Sequence, residues 1–252
     1  MIKKILLAML MASLMFSIQI SIIGCEDKND DDSGPDVSGS ADQFPPSNDY
    51  TVKARLVGID FGFGGLSACA DIEITKDGSA VEDAFVMVNS DTIPYDFGVY
   101  QASLTTSNSY ELTITHDGNL IASGSGAKPP EGIPVITNLD SGDVHQINSD
   151  LTVEWGSVSG VTSWQVTSNT GGYHTYESSL LPLDADSHVI PGTYFPSGGG
   201  IVYDVQVSGI NGLYPGDDAA LADPQVGYDI EGPKGYFIGI TQSDEVEIFV
   251  ND

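Results

Sequence analysis

The chain has 252 residues, with 36 Asp or Glu against only 8 Lys or Arg, and a formal net charge of −28. So acidic a chain repels phosphate backbones and anionic membrane surfaces, whose recognition needs clustered Lys and Arg, and nucleic acid is excluded as a partner. Its length and 40% hydrophobic content suffice for one large or two ordinary packed domains.

In chain order, Lys3 and Lys4 precede an almost unbroken apolar run, Ile5 to Ile23, which ends in Ser21-Ile22-Ile23-Gly24-Cys25. A small residue directly before a cysteine resembles the lipobox of bacterial lipoproteins. The resemblance implies that the leader, residues 1–24, is cleaved between Gly24 and Cys25, and that the Cys25 thiol carries the lipid. It also implies a cell-envelope location, in the outer membrane, with membrane attachment through the acyl chains. The run is long enough to cross a bilayer, which needs about 20 apolar residues, so an uncleaved anchor is the alternative. The Gly24-Cys25 junction and the abrupt change to Glu26-Asp27-Lys28-Asn29-Asp30-Asp31-Asp32 favour a leader. The mature chain then has 228 residues and a net charge of −30, because the leader removes two lysines and no acid.

Residues 25–49 follow as a tether. Glu26 to Asp49 holds eight acids and one Lys, with Val37 and Phe44 almost its only large hydrophobes. Such a segment buries too little apolar surface to repay its ordering entropy and is expected to be disordered. Its random-coil reach is roughly 27 Å, lengthened by self-repulsion. Asp27, Asn29 and Asp31 mimic the start of an EF-hand loop, but Asp32 and Ser38 stand where that loop needs Gly and Glu.

From Thr51 onward the hydrophobic period is two. Ala70, Ile72 and Ile74 alternate with polar residues, as do Tyr110, Leu112 and Ile114, then Leu151, Val153 and Trp155, and finally Val246, Ile248 and Val250. That alternation predicts half-buried antiparallel strands. Lys76-Asp77-Gly78, His116-Asp117-Gly118-Asn119, Pro129-Pro130-Glu131-Gly132, Asn211-Gly212 and Glu231-Gly232-Pro233 punctuate them as turns. The fold class is all-β, with two tandem sandwiches at 50–127 and 128–252. The boundary rests on Gly124 to Pro130, which lacks a strand pattern. Tyr110 and Tyr203, each starting a late strand, are candidates for a tyrosine corner.

Within 128–252, Pro134-x-Ile136, Leu151-x-Val153-x-Trp155, Trp164-x-Val166 and Tyr203-Asp204-Val205-Gln206-Val207 resemble a fibronectin type III or immunoglobulin-like module. About 125 residues exceeds the ~100 typical of that fold, and the excess is expected in 175–200 and 214–234. Residues 50–127 resemble the small sandwich of carboxypeptidase-regulatory-like domains, through Lys76-Asp77-Gly78, Val81, Ala84, Val86 and Val88, then Gly98-x-Tyr100. These resemblances imply adhesion, spacing or ligand display, and no particular partner.

No motif for catalysis or a cofactor stands out. The four histidines, His116, His145, His174 and His188, form no H-E-x-x-H, and no paired Cys-x-x-Cys supports zinc. His174-x-x-Glu177 is a chance spacing, and no G-x-S-x-G elbow is present. Gly62-x-Gly64-Gly65 and Gly198-Gly199-Gly200 read as flexible turns. Cys69 lies on a strand pattern and reads as a small buried hydrophobe. Asp217, Asp218 and Asp223 cluster in one loop and are weak Ca²⁺ candidates, against the commoner reading of a solvated acidic loop. Tyr173-His174-Thr175-Tyr176 and Tyr194-Phe195 are contact candidates for an unknown protein or glycan. Trp155 and Trp164 sit on strand patterns and belong in the core, which weakens a carbohydrate-binding reading. The expected function is therefore a non-enzymatic envelope lipoprotein that binds, adheres or spaces, with a carbohydrate-binding surface lipoprotein as the alternative and, behind it, a hydrolase without a recognisable motif.

Overall fold

The computed structural model describes residues 49–60, 65–171, 173–196, 200–214 and 227–251. The leader with Gly24 and Cys25, the tether up to Asn48, and Asp217, Asp218 and Asp223 lie outside the described residues.

The first third is built from β1 (Tyr50–Asp60), β2 (Leu66–Lys76), β3 (Ser79–Ala80), β4 (Phe85–Val88), β5 (Asp91–Ile93), β6 (Tyr95–Asp96), β7 (Val99–Ser103), β8 (Glu111–His116) and β9 (Asn119–Ser125). The middle holds β10 (Asp143–Gln146), β11 (Leu151–Glu154), β12 (Ser163–Thr170), β13 (Tyr173–Glu177), β14 (Leu181–Pro182) and β15 (Ser187–Ile190), then a 3-10 turn at Gly192–Tyr194. The last part contains β16 (Ile201–Asn211), β17 (Gly227–Tyr228), β18 (Ile230–Glu231), β19 (Lys234–Gln242) and β20 (Val246–Asn251). The protein is an all-β sandwich.

The Asp-Gly signals do what their chemistry dictates. β2–β3 and β8–β9 are joined by Asp77-Gly78 and Asp117-Gly118, with φ of 51° and 75°, and of 53° and 76°. Two positive φ values define the turn that matches strand twist in a tight hairpin, and Asp and Gly tolerate them.

Two cores result. In the first, Val52, Ala54 and Leu56 of β1 and Ile72 and Ile74 of β2 face Val86, Val88, Leu112, Ile114 and Ile121 of the opposing sheet, all nearly sealed from solvent. Tyr100 is buried there with its hydroxyl satisfied: it donates to Val81 O at 3.0 Å and accepts from Ala84 N at 2.8 Å. Tyr110 is also buried, and its hydroxyl accepts the Ser107 amide at 3.2 Å, a tie to upstream backbone of the tyrosine-corner kind. In the second core, Leu151, Val153 and Ile190 of the β11–β15 pair face Trp164, Val166, Tyr203, Val205, Val207, Ile248 and Val250. The strand order is β13-β12-β16-β20-β10 on one side and β11-β15 on the other.

Where the alternation predicts antiparallel neighbours, β19 departs from it. It pairs in parallel with β1 over eight positions, from Thr51↔Lys234 to Gly58↔Thr241, and antiparallel with the end of β16. β20 continues along the other half of β16, from Ile201↔Val250 to Val205↔Val246. β16 and β19–β20 thus form one long hairpin whose far end enters the first sandwich. Phe237 of β19 and Ile230 of β18 are buried in the first core, and β18 pairs with β9. On its other face, Tyr236 and Ile238 pack with Ile210 in a third cluster. One continuous sheet therefore runs through both spans, across the 127/128 boundary.

The segment at that boundary is also less open than its composition suggests. β9 extends to Ser125, and Ala127, Pro129 and Pro130 are buried. The Lys128 carbonyl accepts from Asn211 Nδ2 at 2.9 Å and sits against Gly239, where a Cβ would come within 1.9 Å of it. Gly235, at φ +120°, lies equally close to Val52 O. Only glycine lets β19 lie this near its neighbours.

Candidate functional site

Three surface features gather groups capable of recognition. The first is a groove of about 440 Å³ beside β2 and β3, lined by Lys76, Ser79, Glu82, Asp83 and His116 among others. His116 occupies its wall with 12% of its side chain exposed. The Tyr50 hydroxyl donates to Nδ1 at 2.7 Å, and Nε2–H donates to Asp83 Oδ1 at 3.0 Å. Lys76 Nζ stands 5.1 Å from the centre of the Tyr50 ring, and a hydrogen bond to the Tyr50 side chain, then its charge, raise the Lys76 pKa. Both ring nitrogens of His116 are therefore engaged. The arrangement ties β1, β8 and the β3–β4 loop together.

The second feature is an aromatic patch on the second sandwich. The antiparallel pairing of β13 with β12 and of β15 with β11 brings Tyr176, His188 and Tyr194 together. Tyr176 and Tyr194 meet edge to face, 4.7 Å apart and 67° between planes. The Tyr176 hydroxyl donates to His188 Nε2, whose pKa burial holds below its ordinary value, and so the ring stays neutral and accepts. Tyr194 is 40% exposed and carries the patch to solvent.

The third was not apparent from the sequence. Asp96 pairs with Val99, leaving Phe97-Gly98 as a two-residue turn with φ of 49° and 96°. This is the backbone that the other two hairpins fill with Asp-Gly. A bulky residue at positive φ costs about 1–2 kcal/mol, and Phe97 recovers none of it by burial, being 84% exposed. The signal was present in the text of the chain: a Phe standing where an Asn or Asp belongs before the turn glycine.

The sequence candidates divide accordingly. Tyr176 and Tyr194 come together, whereas Phe195 is wholly buried, edge-on to Tyr203 at 5.1 Å. Tyr173 and His174 place their backbone in β13. Trp155 and Trp164 are core residues 5.8 Å apart, and Trp164 Nε1 donates to Leu183 O at 3.0 Å. Cys69 is buried, with its thiol pKa raised by burial and partly offset by Ser103. Among the described residues, no three His, Cys, Asp or Glu side chains gather as a metal site, and no helix is long and apolar enough to cross a membrane.

No protein-family profile matches the chain, and no curated protein matches its sequence. Solved structures similar to it include the FN1–FN3 domains of chicken CNTN1, at 10% identity over 80% of this chain and 69% of that one, with a TM-score of 0.29. A two-domain fibronectin type III segment of chicken tenascin is similar at 10% identity, covering 79% and 99%, with a TM-score of 0.26. The BSP domain of a biofilm associated protein is similar at 16% identity, covering 84% of this chain and 31% of that one, with a TM-score of 0.25. The chain is a β-sandwich protein by its own strands and sheets.

Proposed function

We propose that this protein is a non-enzymatic, lipid-anchored component of a bacterial envelope that displays binding loops on a rigid double sandwich. The observation that carries the reading is the shared strand β19, which runs between β1 of one sandwich and β16 of the other. A sheet continuous through both sandwiches holds their loops at fixed separation, which suits spacing and partner contact. Attachment is read from Ser21-Ile22-Ile23-Gly24-Cys25, with Cys25 acylated in the outer membrane and 25–49 as the tether. The Phe97 turn and the Tyr176–Tyr194 patch are the contact points for a protein partner. Asp96 flanks the former and favours a partner with a basic residue at its rim. A glycan ligand draws less support, because the Tyr176 and Tyr194 rings are not coplanar and both Trp are buried.

Metabolic labelling with a palmitate analogue, followed by fractionation, tests the reading. Labelled wild type in the membrane fraction and an unlabelled Cys25→Ser variant released from it are expected. An unlabelled wild type that retains Met1 overturns the anchor.

A further inference from the structure

The outer face of the second sandwich is a polar platform, and one row of it is unbalanced. Because Trp164 and Val166 of β12, Tyr203, Val205 and Val207 of β16, and Ile248 and Val250 of β20 point into the core, the intervening residues point the other way. On that outer face Asn169 lies opposite Asp204, and Asp204 lies opposite Glu247. Three oxygen-bearing side chains from three adjacent strands therefore share one straight row. Directly opposed side chains have Cβ atoms about 4.5–5.5 Å apart, within reach of a single ion, and two like charges so placed destabilise the sheet.

The neighbouring rows carry no such conflict. Gln242 Nε2 donates to Gln206 Oε1 at 3.1 Å, Gln206 Nε2 donates to Ser243 O at 3.0 Å, and Gln165 Nε2 donates to Glu177 Oε1 at 2.6 Å. In contrast, Asn169 is 8% exposed and its Oδ1 is buried without a hydrogen-bond donor. An orphaned buried acceptor is destabilising, and it stands beside a carboxylate pair that has the opposite need. A cation serves all three. Burial, and then the Glu247 charge, push the Asp204 carboxyl pKa upward, which is the response of a desolvated acid facing a like charge.

We infer that Asn169, Asp204 and Glu247 form a divalent-cation site of Ca²⁺ chemistry on the outer face of β12, β16 and β20. The donors are all hard oxygens and supply up to about five of them, with water completing the six to eight that Ca²⁺ takes. Zinc favours the nitrogen and sulfur ligands that this row lacks, and Mg²⁺ demands a tighter octahedral cage than three strands of a sheet provide. The site shares no residue with the acidic stretch of Asp217, Asp218 and Asp223, and it does not depend on the anchor.

Thermal melts of the mature chain test it, first in chelator and then with about 5 mM Ca²⁺, a concentration suited to the weak sites of extracellular modules. The melting temperature of wild type should rise by about 3 °C. Asp204→Asn and Glu247→Gln should each lose that rise while melting in chelator at or above wild type, since each removes the like-charge pair. Combined replacement of Asp217, Asp218 and Asp223 by Asn should keep the full rise, and Mg²⁺ should give less than Ca²⁺. The inference is overturned if wild type does not respond, if Asp204→Asn responds as wild type does, or if the loop replacements abolish the response. A chelated Asp204→Asn that melts well below wild type also overturns it, by making the row a structural element.

Discussion

The two sandwiches close their cores by different means: the second buries Trp164, Val205 and Ile248 from strands all within 136–250, whereas the first, 50–127, takes Ile230 and Phe237 from the far end of the chain. Without β19, the eleven residues of β1 form a sheet edge with an open row of backbone donors and acceptors, and the first core has a gap the size of a Phe ring. The second core, by contrast, takes no residue from 50–127, and the third cluster, Ile210, Tyr236 and Ile238, is likewise built from 128–252 alone. The difference shows that repetition of a sandwich along a sequence does not by itself make independent units. Here the hairpin β16–β19 is the element that decides.

Substitutions sharpen that comparison. Phe237→Ala and Phe195→Ala remove the same ring from fully buried sites, one in each core, and each should cost about 3–5 kcal/mol. In chemical denaturation monitored by fluorescence, both should lower a single shared midpoint; separate units would show two midpoints, each variant moving one. Gly239→Ala acts at the seam itself, pressing a methyl into the Lys128 carbonyl. It should cost about 3 kcal/mol and raise hydrogen exchange in β1 as well as in β19. A variant that melts like wild type would mean that the seam gives way without consequence. At the Phe97 turn the sign reverses. Phe97→Asn should stabilise by about 0.5–1 kcal/mol, because Asn accepts positive φ and no burial is lost. Stabilisation accompanied by loss of surface contact fits a binding role for the ring, and destabilisation would show that Phe97 packs after all.

What the sequence made legible follows from the same physics. β2, β8, β11 and β20 each bury one face, so their alternation is visible, and Asp77-Gly78 and Asp117-Gly118 reveal their turns. β19 was hidden because both of its faces are buried. Lys234-Gly235-Tyr236-Phe237-Ile238-Gly239-Ile240 has no polar face to alternate with, and its glycines read as breaks although they are close approaches. Its parallel partner β1 lies more than 170 residues away, a distance over which local pattern carries no information. The aromatic patch was half legible, since Tyr176 and Tyr194 stood out by type, but His188 joins them only through the β11–β15 pairing. The row Asn169, Asp204 and Glu247 is assembled by register alone.

Differential scanning calorimetry of the protein bears most directly on the shared sheet. One transition, with the calorimetric enthalpy equal to the van't Hoff enthalpy, is predicted for two sandwiches that fold as one body through β19. Two resolved transitions, of which Phe195→Ala moves only one, would contradict it.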